Sequence, residues 1–170
     1  RLLNYEGKAW YQKEFEVATE SELLFEFGSV MTMADIWIDD VKTCNHYGAF
    51  TEFSFKHHVN PGTHTLTVRV DSSFDEQSFP QRYTDWFNYG GIAREVSYAS
   101  LNGICIINNH IVYTLSDDLK SVKVHAELEL YNKCDSTASS LLNVTIGDIE
   151  IYSGEVSLSA KETKIFSTPE

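Results

Sequence analysis

Apolar and polar residues alternate along most of this chain. Ala9, Tyr11, Phe15 and Val17 fall on one side of a segment whose other side carries Trp10, Gln12, Glu14 and Glu16. Leu23, Phe25 and Phe27 alternate with Leu24 and Glu26, and Ala34, Ile36 and Ile38 with Asp35, Trp37 and Asp39. Leu66, Val68 and Val70 alternate with Thr65, Thr67 and Arg69. A period of two predicts strands half-buried in a sheet, because successive side chains of a strand point to opposite faces. No long window carries a helical stripe. Asn60-Pro61-Gly62 predicts a turn, since Pro fixes one φ and Gly accepts a positive one.

The pattern changes character near 99–103. All but four of the Phe, Trp and Tyr residues precede it; Tyr113, Tyr131, Tyr152 and Phe166 follow. The second part has its own alternation. Val122, Val124, Ala126, Leu128 and Leu130 oppose Lys123, His125, Glu127 and Glu129, and Leu142, Val144 and Ile146 form another strand. Ile149 and Ile151, then Val156 and Leu158, continue it, with a polar loop expected over 132–140. The chain is therefore expected to be all-β, with one domain over 1–99 and a second over 100–170. Short strands at this spacing predict a small immunoglobulin-like sandwich. About 70 residues is less than the roughly 100 typical of that fold, so this second domain is expected to be truncated at its C-terminal side.

The composition is that of an ordinary folded protein: 42% hydrophobic and 22% charged residues, with only three prolines and nine glycines among 170 residues. A formal charge of −12 disfavours nucleic acid and anionic membrane as partners. Cys44, Cys105 and Cys134 are odd in number and lack metal-ligand spacing, so they are read as reduced thiols. That reading leans towards a reducing, cytoplasmic setting. No apolar run reaches the roughly 18 residues of a membrane helix. Arg1 is not a natural start, and the chain is expected to be a piece of something longer. Strands lost from its ends would leave open sheet edges, so a homo-oligomer is expected.

The chemistry-bearing stretch is Asp85-Trp86-Phe87-Asn88-Tyr89-Gly90-Gly91-Ile92-Ala93-Arg94-Glu95-Val96. It sets stacking rings and hydrogen-bonding groups beside a Gly-Gly bend, a combination suited to a sugar or a neighbouring domain. On residue chemistry alone Asp85 reads as a solvated or turn-capping carboxylate rather than a ligand contact. His57 and His58 are adjacent on a strand, point to opposite faces, and do not chelate one ion easily. Oxygen-rich calcium ligation by Asp35, Asp39, Asp40, Asp71, Asp75 and Glu76 is not demanded by any spacing. No metal and no cofactor is expected, and no nucleophile elbow, phosphate loop or zinc-helix motif is present.

Several motifs occur in an order that matches one family. Gly7-Lys8-Ala9-Trp10-Tyr11-Gln12-Lys13-Glu14-Phe15 resembles "G-x-x-W-Y-x-x-x-F", and Leu24 to Gly28 resembles "L-x-F-x-G". Ala34-Asp35-Ile36-Trp37-Ile38-Asp39-Asp40 resembles "A-x-V-W-x-N-G". His46-Tyr47-Gly48-Ala49-Phe50-Thr51-Glu52-Phe53 resembles "H-x-G-G-Y-x-P-F", and Leu66 to Asp71 resembles "L-x-V-x-V-x-N". With "Phe-Asn-Tyr-Gly-Gly-Ile-x-Arg", these resemble glycoside hydrolase family 2, the family of β-glucuronidase, β-galactosidase and β-mannosidase. The loop wording is most similar to the β-glucuronidase branch. Asp39-Asp40 departs from the Asn-Gly best suited to a type I′ turn, so a longer turn or a left-handed Asp is expected there.

The resemblance implies a jelly-roll sugar-binding domain, N-terminally truncated, followed by a partial immunoglobulin-like sandwich. In the family a (β/α)8 barrel follows, where two Glu, roughly 5–5.5 Å apart, carry out retaining hydrolysis. No Asn-Glu acid/base motif occurs here, so the fragment itself has no catalytic residue. The partner implied is a β-glycoside, reached through the absent barrel. Asp85 is implied to contact the sugar, with Asn88 and Tyr89 as further substrate-binding candidates. His46, Gly90, Gly91 and Arg94 are implied to shape the loop, Arg94 by pairing with a carboxylate at a domain interface. The activity implied is that of a β-glucuronidase, ahead of a β-galactosidase. A carbohydrate-binding or adhesion module without an enzyme is the alternative, and the coding sequence downstream of Glu170 separates the two.

Overall fold

A computed structural model describes residues 5–76, 78–81 and 83–169. It contains strands and no helix among the described residues, and its contacts divide the chain into two compact units, residues 1–100 and 101–170.

The first unit holds β1 (Lys8–Val17), β2 (Ser21–Phe27), β3 (Val30–Met31), β4 (Met33–Ile38), β5 (Val41–Tyr47), β6 (Phe53–Val59), β7 (Gly62–Asp71), β8 (Gly91–Ile92) and β9 (Val96–Ser100). One sheet runs β1-β7-β4-β5, a second β6-β2-β9, and β3 with β8 forms a short ribbon. Inward residues of both sheets share one core, including Phe25 and Phe27 of β2, Ile36 and Ile38 of β4, and Val68 and Val70 of β7. The rings interdigitate: Phe25 stacks on Phe55 at 5.2 Å and Phe27 on Phe53 at 5.0 Å. The alternation read from the sequence is thus the two faces of a β-sandwich.

The β4–β5 hairpin settles the Asp-Asp departure. Ile38 pairs with Val41, leaving two turn residues, and both are left-handed: Asp39 at φ 48° and Asp40 at φ 66°. Two positive φ values fit a type I′ turn, and Asp tolerates that region better than most residues. The turn is held across the sheet. Asp39 Oδ1 accepts the Thr65 amide at 2.8 Å, and Asp39 Oδ2 lies 2.5 Å from His64 Nδ1.

The second unit contains β10 (Ile104–Leu115), β11 (Val122–Asn132), β12 (Ala138–Ile146), β13 (Ile149–Leu158) and β14 (Thr163–Ser167). β10-β11-β14 form one sheet and β12-β13 another. Ala126, Leu128 and Leu130 pack on Leu142, Val156 and Leu158. Asn132, expected to open a loop, is the fully buried last residue of β11. Its amide nitrogen reaches the carbonyls of Ser136, Leu158 and Ser159 at 2.8–3.1 Å, while Oδ1 accepts the Cys134 amide.

Candidate functional site

The long connection from β7 to β8, residues 72–90, carries the aromatic motif. Connections of this length without their own secondary structure are uncommon in compact domains and concentrate function. Its base is clamped. The Ser72 amide donates to the Gly7 carbonyl at 3.0 Å, Ala93 donates to Ser29 at 3.0 Å, and β3 pairs β8 through Val30–Ile92 and Met31–Gly91.

Gly90 and Gly91 sit where the loop returns. A Cβ on Gly90 would lie 2.6 Å from Ser72 Oγ, closer than real contacts allow. Gly91 has φ 114°, and a Cβ there would meet the Tyr11 hydroxyl at 2.6 Å. Only glycine combines that backbone with that approach.

Within the loop, short polar bonds set the path. The Asp75 amide and Oδ1 both bond Ser78 Oγ at 2.8 Å. Gln81 Nε2 donates to the Ser78 carbonyl at 2.9 Å. Asn88 Nδ2 donates to Thr84 Oγ1 at 3.0 Å, and Thr84 Oγ1 donates to the Trp86 carbonyl at 2.8 Å. Asn88 Oδ1 is buried with no partner among the described residues.

The loop and the ends of the strands enclose a cavity of about 400 Å³. Asp85 and Asn88 line it, together with Tyr83, Trp86, Phe87 and Ser72. Asp85 is exposed and makes no hydrogen bond or ion pair among the described residues. Tyr89 is not in this lining. It stands beside Phe87, with ring centroids 6.0 Å apart, and faces a smaller recess shared with Tyr5, Tyr11 and Gly90. Sequence reading missed Tyr5, Met31, Ser72 and Phe74 as lining residues. Tyr83 and Thr84 adjoin the motif and were within reach of it; the others arrive only through the fold.

His46 shapes a neighbouring turn. Its ring stacks on Phe53 at 4.0 Å, its Nε2 is 3.4 Å from Thr51 Oγ1, and burial pushes its pKa down. Arg94 stands exposed, just before β9. Among the described residues no group of three or more His, Cys, Asp or Glu converges as metal ligands would. Asp35 and Asp39, two of the candidate oxygens, are already engaged, by Arg69 with Lys42 and by His64.

No family model matches the chain. The structure superposes on a GH2 β-galacturonidase from Eisenbergiella tayi, bound to galacturonate, with a TM-score of 0.79 and 29% identity, covering 98% of this chain and 29% of that one. The chain resembles the N-terminal region of glycoside hydrolase family 2 enzymes. A family 2 likeness is also found among curated relatives. The β-glucuronidase of Streptococcus agalactiae serotype V is 26% identical over 166 residues, covering 82% of this chain and 27% of the relative. The β-galactosidase of Thermoanaerobacter pseudethanolicus is 26% identical over 163 residues, covering 90% of this chain and 19% of the relative. The chain thus spans about a quarter or less of the length of these relatives. The fold is shared with Bacteroides uniformis β-glucuronidase 2, at a TM-score of 0.77 and 19% identity.

Proposed function

We propose that this chain is the non-catalytic N-terminal part of a retaining β-glycosidase, a β-glucuronidase, and that Asp85 offers its carboxylate to the sugar. One observation carries the reading: an exposed carboxylate without a hydrogen bond or ion pair among the described residues lines an aromatic-walled cavity on the clamped loop. A carboxylate can accept two sugar hydroxyls, and charged acceptors make stronger hydrogen bonds than neutral ones. Asn88, which lines the same cavity, is the second contact. Gly90 and Gly91 hold the loop, and Tyr89 with Phe87 stiffens its crest.

In the full-length enzyme, Asp85→Ala is expected to lower kcat/KM on a nitrophenyl β-D-glucuronide by about tenfold or more, roughly 1.4 kcal/mol of transition-state binding. Asp85→Asn should lose less, because it keeps one acceptor oxygen. An unchanged kcat/KM in Asp85→Ala rejects the role. A β-galactoside substrate is the second reading, favoured by the Thermoanaerobacter likeness over 90% of this chain. Rates on glucuronide, galacturonide and galactoside, compared in one enzyme, decide between them.

A further inference from the structure

We propose that the outer face of the β1-β7-β4-β5 sheet is a stacking platform for an acidic oligosaccharide, built on Trp10 and Trp37. The site is independent of the role given to Asp85. Trp10 keeps 61% of its surface exposed, a large cost for an indole with nothing to cover it. Its ring lies 5.3 Å from that of Trp37, tilted by 33°, so the two make one continuous aromatic surface.

The strand register explains why they meet. Trp10 lies opposite Arg69, which lies opposite Asp35. One row along, Gln12, Thr67, Trp37 and Lys42 face one another in sequence. Residues opposite each other across a ladder share a face, so both indoles and all three charges project together. Asp35 accepts from Arg69 Nη2 and lies 2.5 Å from Lys42 Nζ. Lys42 stands 5.9 Å from the Trp37 ring centre, and the Arg69 guanidinium 6.0 Å from that of Trp10.

Charge and chemistry select the occupant. Two cations share one carboxylate, leaving a positive charge beside the rings in a chain of net −12. Glu14, the next carboxylate along β1, stands beyond Gln12 and opposite Thr65. The core of a protein–protein interface is enriched in Trp and Arg but depleted in Lys and Asp, and here both Lys42 and Asp35 border the two rings. A pyranose presents a C–H face that an indole can cover, and its hydroxyls suit the Gln12 amide and Thr67 hydroxyl, which lie 3.4 Å apart. A uronate adds a carboxylate matched to the surplus cation.

The test is calorimetric titration of the full-length protein with tetragalacturonate and, as the neutral control, maltotetraose. The acidic glycan is expected to bind, with salt weakening it, and maltotetraose to bind at least about tenfold more weakly. Trp10→Ala should weaken tetragalacturonate about tenfold or more, and Trp10→Phe should recover part of the loss. Lys42→Gln should weaken tetragalacturonate and leave maltotetraose alone. Trp10→Ala and Lys42→Gln should leave kcat/KM on a nitrophenyl β-D-glucuronide unchanged, which separates this site from the loop cavity. Unaltered binding in Trp10→Ala, equal losses in the Ala and Phe variants, or no binding of tetragalacturonate overturns the proposal. A Trp10→Ala variant that dissociates an oligomer without changing glycan affinity also overturns it, in favour of a protein partner on this face.

Discussion

At the scale of single residues, His64 is the most telling. Its Nδ1 faces Asp39 Oδ2 at 2.5 Å, and its Nε2 faces the Asn60 carbonyl at 2.7 Å. Both partners are acceptors, so both ring nitrogens must donate, and the imidazolium is the form that fits. The hydrogen bond to Asp39, then that to Asn60, raises the His64 pKa above its ordinary value, and the His64 contact lowers that of Asp39. A raised folded pKa gives stability that is full below the unfolded value, about 6.5, and is lost as pH climbs through the folded value. The Asp39 contribution is present above its ordinary carboxylate value and is lost as acid brings the pH down through the lowered one. The melting temperature of the native protein should therefore exceed that of His64→Asn by more at about pH 5 than at about pH 8. A gap that does not change with pH would refute the assignment. None of this was legible in the sequence, where His64 is one residue of an alternating strand; the contact needs the turns at 39–40 and 60–62 to meet.

At the scale of elements, the loop 72–90 depends on its glycines. Gly90→Ala must displace Ser72, whose amide and hydroxyl bind Gly7. Overpacking of this kind costs roughly 1–3 kcal/mol. A lowered melting temperature is expected for Gly90→Ala, with a further loss for Gly91→Ala because of its φ of 114°. Wild-type melting in both variants would show that the loop floats free of its base. Strand elements were readable because one-face burial imprints a period of two, and Phe25, Ile36, Val68 and Leu128 all sit where that period puts them. The Gly-Gly bend and Asp85 stood out by composition. Tyr5, Met31 and Ser72 did not, since they reach the cavity from other strand ends, with nothing local to mark them. Tyr89, four residues beyond Asp85, lines the adjoining recess rather than the cavity of Asp85, which sequence proximity does not reveal.

At the scale of the molecule, the first unit is uncovered along one side. Among the described residues β1 pairs only with β7, and β9 only with β2. Between them opens a cavity of about 590 Å³ lined by Phe15, Phe25, Phe27, Leu66 and Val68. Bare edges beside apolar side chains favour association, so the chain in solution is expected to pair with a second copy here. Light scattering should show mass rising towards a dimer with concentration, and a monomer at every concentration would count against it. The clamp beneath the 72–90 loop has a different kind of consequence. Backbone bonds to Gly7 and Ser29 hold the chain where it leaves and rejoins the sandwich, and higher up the Phe79 amide donates to the Tyr47 hydroxyl of β5 at 3.3 Å. With its path pinned at those points, exposed wall positions such as Tyr83 and Trp86 can be exchanged while the frame stays, and a lineage can try out new pocket walls on an old support.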